Sequence, residues 1–207
     1  MDEICNVYNV FESQYENYLE MVAASNELIN NVEQNLYTVN MHFLMIEKIF
    51  MNIYMLWEKF LEDSFVLYMT GKSDMQGITY NRYACPVDKE HAYEILKGTK
   101  QYPDWTNLQE VITLAKLYFE FSGPYNLLSS MPVEFNEMKT VRNKISHMSI
   151  QSERKFNNLV IQKTSNAAIK SAGAFLNQFK ENSITYFEYY TTTLLDYVKA
   201  IVNTDIE

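Results

Sequence analysis

At 207 residues the chain is long enough to bury a substantial core, as one domain or one domain carrying an insertion. A hydrophobic share of 47% with only five glycines and four prolines argues against a sandwich or a disordered chain and for a helix-rich globule. The formal net charge of −9 argues against a protein that coats nucleic acid non-specifically, while leaving room for one local basic site.

Met1-Asp2-Glu3 is acidic and offers neither a basic nor an apolar leader region, so no secretion signal is expected. Cys5 and Cys85 are far apart and form no ligand cluster, as suits reduced thiols in the cytoplasm. A first helix is expected from about Val7 to Asn35. Val10, Phe11, Tyr15, Tyr18, Leu19, Val22 and Leu28 share its broad inner face, and Glu12, Glu16 and Glu20 form a solvated ridge.

Leu36, Val39, Phe43, Ile46, Phe50, Ile53, Trp57, Phe60, Ser64 and Leu67 then step by three and four, with only Ser64 not apolar. That spacing predicts one long helix, about 36–70 and roughly 50 Å in length, whose seam needs partner helices. Gly71 supplies its stop. His42 lies among apolar neighbours, which predicts a packed rather than a catalytic imidazole. The run from Met41 to Leu56 is broken by His42, Glu47 and Lys48, so no membrane span is expected.

From 72 to 104 the periodicity dissolves around Gly77, Pro86, Gly98 and Pro103, which predicts an irregular insertion with one short helix around Asp88 to Lys97. His91 within it is given no role. Thr106-Asn107-Leu108-Gln109 reads as a capping box. It opens a helix with Leu108, Val111, Ile112, Ala115, Leu117, Tyr118 and Phe121 inward, ended by Ser122-Gly123-Pro124. Ser129-Ser130-Met131-Pro132 starts the next, whose stripe is Phe135, Met138, Val141 (or Arg142) and Ile145. A short helix from Glu153 to about Ile161 and an ambiguous stretch over 162–177 follow. The last helix, Ile184 to Asn203, turns Ile184, Phe187, Tyr190 (or Thr191), Leu194, Val198 and Ile201 inward. The expected fold class is all-α, an up-and-down helical bundle with one long central helix, in a single domain over 1–207.

The stretch Arg142-Asn143-Lys144-Ile145-Ser146-His147 brings together a guanidinium, a carboxamide and an imidazole. An Arg can hold a phosphate, and a His can move a proton near neutral pH. Lys139, Arg142, Lys144, Arg154 and Lys155 stand against Glu153 alone, a basic stretch suited to RNA phosphates. On an ideal helix residues five apart are separated by about 140°, so Arg142 and His147 do not share a face, whereas Asn143 and His147 do. Either Arg142 reaches around or the helix ends or distorts near His147. No His-Glu-x-x-His or paired-cysteine motif points to a metal, and no glycine-rich phosphate loop is present, so no cofactor is expected. Ser146 and His147 are adjacent and point apart, which does not suit a nucleophile and its base.

Arg142-x4-His147 with a polar Asn143 directly after the Arg resembles the active-site motif of the HEPN superfamily. Trp57-Glu58-Lys59-Phe60 with its apolar stripe looks like the second helix of many members. The resemblance implies a metal-independent endoribonuclease whose cleft forms between two copies of a homodimer. It implies His147 as general base or acid, Arg142 on the scissile phosphate, Asn143 on the phosphate or orienting His147, and Glu58 (or Glu62 or Asp63) positioning either. The expected products are a 2′,3′-cyclic phosphate and a 5′-hydroxyl. Small stand-alone members are often toxins or phage-defence effectors, which implies a neutralising antitoxin or regulatory protein. Neither DNA nor a membrane is an expected partner. The plainer alternatives are a salt-bridging Arg142 and a helix-end His147 stabilised by the helix dipole. They belong to a non-catalytic all-helical protein-binding module, antitoxin- or adaptor-like.

Overall fold

The computed structural model describes residues 3–30, 37–98, 102–130, 133–181 and 183–204. Eight α-helices follow in chain order among them: α1 (Glu3–Asn30), α2 (Val39–Met69), α3 (Lys89–Lys97), α4 (Leu108–Tyr118), α5 (Val133–Ser146), α6 (Ile150–Thr164), α7 (Ala172–Leu176) and α8 (Tyr186–Val202). Short 3₁₀ turns within Glu120–Ser130, broken by the positive-φ residues Phe121, Ser122 and Gly123, follow α4, and a small antiparallel hairpin of β1 (Phe179–Glu181) and β2 (Ile184–Thr185) precedes α8. Helix makes up 74% of the molecule, so the fold is an all-α bundle with a minimal sheet. The expected starts at Leu36 and Pro132, and the end of the first helix at Asn35, lie outside the described residues. Among the described residues no helix is long and apolar enough to cross a membrane.

Two compact units make up the chain: Met1–Glu12, Leu56–Pro132 and Leu194–Glu207 form the first, Ser13–Met55 and Val133–Thr193 the second. In the first, the end of α2 is buried on every side rather than along a seam, since Phe65, Val66, Leu67, Tyr68 and Met69 are all covered. Phe65 meets Trp105, Phe119 and Tyr125 at centroid distances of 5.5, 5.2 and 5.0 Å. Tyr68 donates to the Ile201 carbonyl at 2.9 Å, and Ser64 Oγ meets the Tyr125 hydroxyl at 2.8 Å. Burial deprives the last carbonyls of α2 of water, and Arg82 Nη1 donates to Met69 O at 2.7 Å. Gly71, at φ +87°, leaves room for that guanidinium, because a Cβ there would approach it within 2.7 Å.

Asp74 orders the start of the insertion. Its buried carboxylate accepts from the amides of Gln76 and Ile78 at 3.0 and 2.8 Å, the Tyr80 hydroxyl at 2.9 Å and Asn203 Nδ2 at 3.0 Å. The short helix expected near Asp88 is α3, capped by the Asp88 carboxylate. The capping box expected at Thr106 does not form. Thr106 gives its amide and hydroxyl to Asp104 Oδ1, and Asn107 becomes an N-cap without a side-chain bond. Helix α4 stops at Tyr118, short of Ser122-Gly123-Pro124, because Phe119 turns extended and bridges to Arg82. Phe121, expected inward, is therefore exposed, and Leu117, still within α4, is exposed as well.

In the second unit Ile46, Ile49, Phe50, Ile53 and Tyr54 carry the α2 core. Val39, at the head of the expected seam, is exposed and Phe43 half-buried, so the seam finds cover only from Ile46 onward. His42 is buried, as its neighbours predicted, with Nδ1 2.7 Å from Ser25 Oγ. Leu28, expected inward on α1, is exposed. Helix α7 falls within the ambiguous stretch and approaches α2 closely: the Gly173 amide donates to Glu47 Oε1 at 2.8 Å. Helix α6 begins at Ile150 rather than Glu153 because Ser149 caps it. Ile184 and Thr185, expected in the last helix, pair with β1 instead.

Two substitutions test these contacts by chemical denaturation. Asp74→Ala removes the acceptor of four part-buried hydrogen bonds and is expected to lose about 2 kcal/mol. Gly173→Ala would put a Cβ 2.1 Å from the Phe43 carbonyl oxygen, and a loss of about 2 kcal/mol or more is expected from overpacking against backbone. An unchanged midpoint for either would remove the contact from the account.

Candidate functional site

Helix α5 turns Phe135, Glu137, Met138 and Val141 inward, a helical stripe interrupted by one carboxylate. Glu137 is partnered in the second unit, accepting from the Tyr190 hydroxyl at 2.9 Å and from Lys163 Nζ at 2.6 Å. One turn earlier Glu134 accepts from the Tyr189 hydroxyl at 2.8 Å, and Lys180 Nζ lies 3.6 Å from the centre of the Tyr189 ring. Its own amide and the Tyr189 hydroxyl hold the Glu134 carboxyl below the usual range. These bonds fix the first half of α5.

The second half ends at Ser146, and His147 is the first residue past the helix. The Asn143 carbonyl closes the corner. It accepts from the His147 amide at 3.0 Å and from Ser152 Oγ of α6 at 3.0 Å. Ser149 Oγ then accepts from the Ser152 amide at 3.1 Å and starts α6. Residues His147, Met148 and Ser149 make the whole connection and are all exposed.

His147 lines two open concavities. One, of about 190 Å³, is polar and bounded by Thr140, Asn143, Ser149, Gln151, Ser152 and Lys155 as well. The other, of about 320 Å³, adds Lys144, Met148, Ile150 and Glu153. Lys144 and Glu153 form an ion pair across the corner, and Lys144 Nζ lies 5.6 Å from the centre of the Phe156 ring. The Lys144 ammonium holds the Glu153 carboxyl below the usual range.

The expected site residues thus divide. Asn143, His147 and Lys155 share one concavity, and Lys144 and His147 the other. Arg142 is half-buried, lines neither, and reaches Asn143 Oδ1 with Nη1 at 3.5 Å. Lys139 is half-buried and Arg154 exposed, and neither lines either of these two concavities. Glu58 is a half-buried residue of α2 in the first unit, as is Glu62, and Asp63 there pairs with Lys59 at 2.5 Å. Sequence reasoning missed Thr140, Ser149, Gln151, Ser152 and Glu153 as site residues. The Ser149-x-x-Ser152 cap was the signal that would have started α6 early enough to bring in all but Thr140, which lies on α5. Among the described residues no group of three or more His, Cys, Asp or Glu could hold a metal ion. Compared with protein-family models, curated proteins and solved structures, the chain matches none.

The tyrosines behind α5 give a pH test. Burial, then the Glu134 bond, pushes Tyr189 up to about 12. Burial, then the Glu137 charge, pushes Tyr190 well above the usual range. Each holds its proton more tightly folded than unfolded, so its contribution is whole below about pH 10. It drains as pH rises through the folded value of about 12 for Tyr189. Absorbance at the phenolate band, followed with circular dichroism, should show a late tyrosine class ionising together with unfolding. If every tyrosine ionised near pH 10 with the helices intact, the network would be absent.

Proposed function

We propose that this chain is a cytoplasmic, metal-independent endoribonuclease of the HEPN type that works as a homodimer. The observation that supports this reading is the position of His147. It is exposed at the corner of α5 and α6, with Asn143 and Lys155 in one concavity and Lys144 in the other. A solvent-exposed imidazole is the side chain suited to taking and returning a proton near neutral pH.

His147 acts as general base toward a ribose 2′-hydroxyl or as general acid toward the leaving 5′-oxygen. The 2′-oxygen bonds to phosphorus as the bond to the 5′-oxygen breaks, leaving a 2′,3′-cyclic phosphate and a 5′-hydroxyl. Arg142 stabilises the charge developing on the phosphate, and Asn143 orients the reacting groups. Lys139, Lys144, Arg154 and Lys155 contact the RNA backbone. Arg142 lies outside both concavities of its own chain, which suits a cleft completed by a second copy. Met148 and Ile150, fully exposed on either side of Ser149, are the apolar surface that such a copy would cover. A toxin or phage-defence role, restrained by an antitoxin protein, follows from the same resemblance.

Purified protein mixed with cellular RNA and EDTA is expected to cut it and leave cyclic-phosphate ends. His147→Ala should reduce cutting by roughly a hundredfold or more while keeping the helical spectrum and the dimer. Equal cutting by both proteins would assign the activity elsewhere. No cutting by a folded dimer would turn the Met148–Ile150 surface into the contact face of a protein-binding module.

A further inference from the structure

We infer that Glu153 competes with RNA phosphate for Lys144, so that a substrate phosphate pairs with the cation beside His147 by displacing the carboxylate. The inference deepens the nuclease reading and rests on it. Lys144 sits in the last turn of α5 and Glu153 in the first turn of α6, and the short corner folds them into an ion pair. Both line the concavity that His147 also lines.

The two partners are held unequally. The Lys144 side chain is 21% exposed and its ammonium rests over the Phe156 ring, which keeps it in place without the carboxylate. The Glu153 side chain is 44% exposed, and besides Lys144 its Oε1 has a long contact to Asn157 Nδ2 at 3.5 Å, with the Lys170 charge acting on it as well. Glu153 is therefore the member that swings away. A phosphodiester carries the same single charge and presents the same kind of oxygen acceptor, so it can take the vacated place. A partly exposed pair of this kind is weak, and a polyanion following the groove can outcompete it. Among the five cations counted along 139–155, Lys144 is then a conditional one.

The test is binding of a single-stranded 2′-O-methyl RNA, which cannot be cut through its 2′-position, by the full chain. Affinity is followed by fluorescence anisotropy from about 50 to about 300 mM KCl. Glu153→Gln keeps shape and removes the charge. It should bind roughly two- to fivefold tighter at the low-salt end, because phosphate no longer has a carboxylate to displace, and the gain should shrink toward the high-salt end as the charges are screened. In a Lys144→Gln background the same change at Glu153 should leave the affinity unaltered. Wild-type affinity in Glu153→Gln would overturn the inference. So would a gain that persists without Lys144, since it would reflect charge removal alone. RNA binding by the wild type with no change in Glu153→Gln leaves the nuclease reading standing and sinks the gate. Absence of RNA binding from every variant sinks the nuclease reading itself.

Discussion

A helix buried on all sides must find protein partners for carbonyls that water would otherwise satisfy, and the end of α2 imposes that constraint on the first unit. Arg82 meets it at Met69 O, which requires a glycine at 71 and a chain path that returns residues 81–83 to α2. That path is held by the bridge from Arg82 to Phe119 and by the Asp74 carboxylate, which gathers four donors from the insertion and the end of α8. The aromatic cluster of Phe65, Tyr68, Phe119 and Tyr125 then fills the space those bonds define. Polar satisfaction sets the route here, and apolar packing follows it.

The same order of cause holds at the corner of α5 and α6. One carbonyl, that of Asn143, both ends α5 and receives a hydroxyl from α6. With Ser149 capping the next helix, three residues suffice for the turn, and His147 is left exposed on it. The buried face of α5 is anchored independently through Glu134 and Glu137 to the tyrosines of α8. The exposed imidazole therefore stands on a fixed frame, as a proton-transfer group needs if its substrate is to meet it in one geometry.

Much of the fold was legible because long helices write themselves as periodicity. The steps of three and four from Val39 to Leu67 required α2, and the punctuated stretch with Asp88 as cap required an insertion carrying α3. Periodicity cannot say how much of a helix circumference is covered, so the exposed Val39 and the fully enclosed Phe65–Met69 segment were both misjudged. Short elements were lost for the same reason: five residues of α7 and the two of β2 are too few to show a period. At the site, the Asn143–His147 relation was legible from i, i+4 spacing, whereas the pairing of Glu153 with Lys144 was not. It depends on where α6 begins, and that is decided by a single serine hydroxyl.

Charge shows most clearly how a count along the chain differs from a field in space. Along 139–155 the cations outnumber the lone Glu153, yet in the fold that one carboxylate sits on Lys144, the lysine that shares a concavity with His147. Lys139 and Arg154 line neither concavity, and Arg142 is half-buried outside both. Lys155 is the cation left in the polar concavity with His147. A protein of net charge −9 with so few lysines at its candidate site has little general attraction for nucleic acid. Recognition would then have to come from shape, from hydrogen bonds by Asn143, Gln151 and the serines, and from groups delivered by a second copy. If the chain cuts RNA, such a site would discriminate among RNAs more readily than it would grip them.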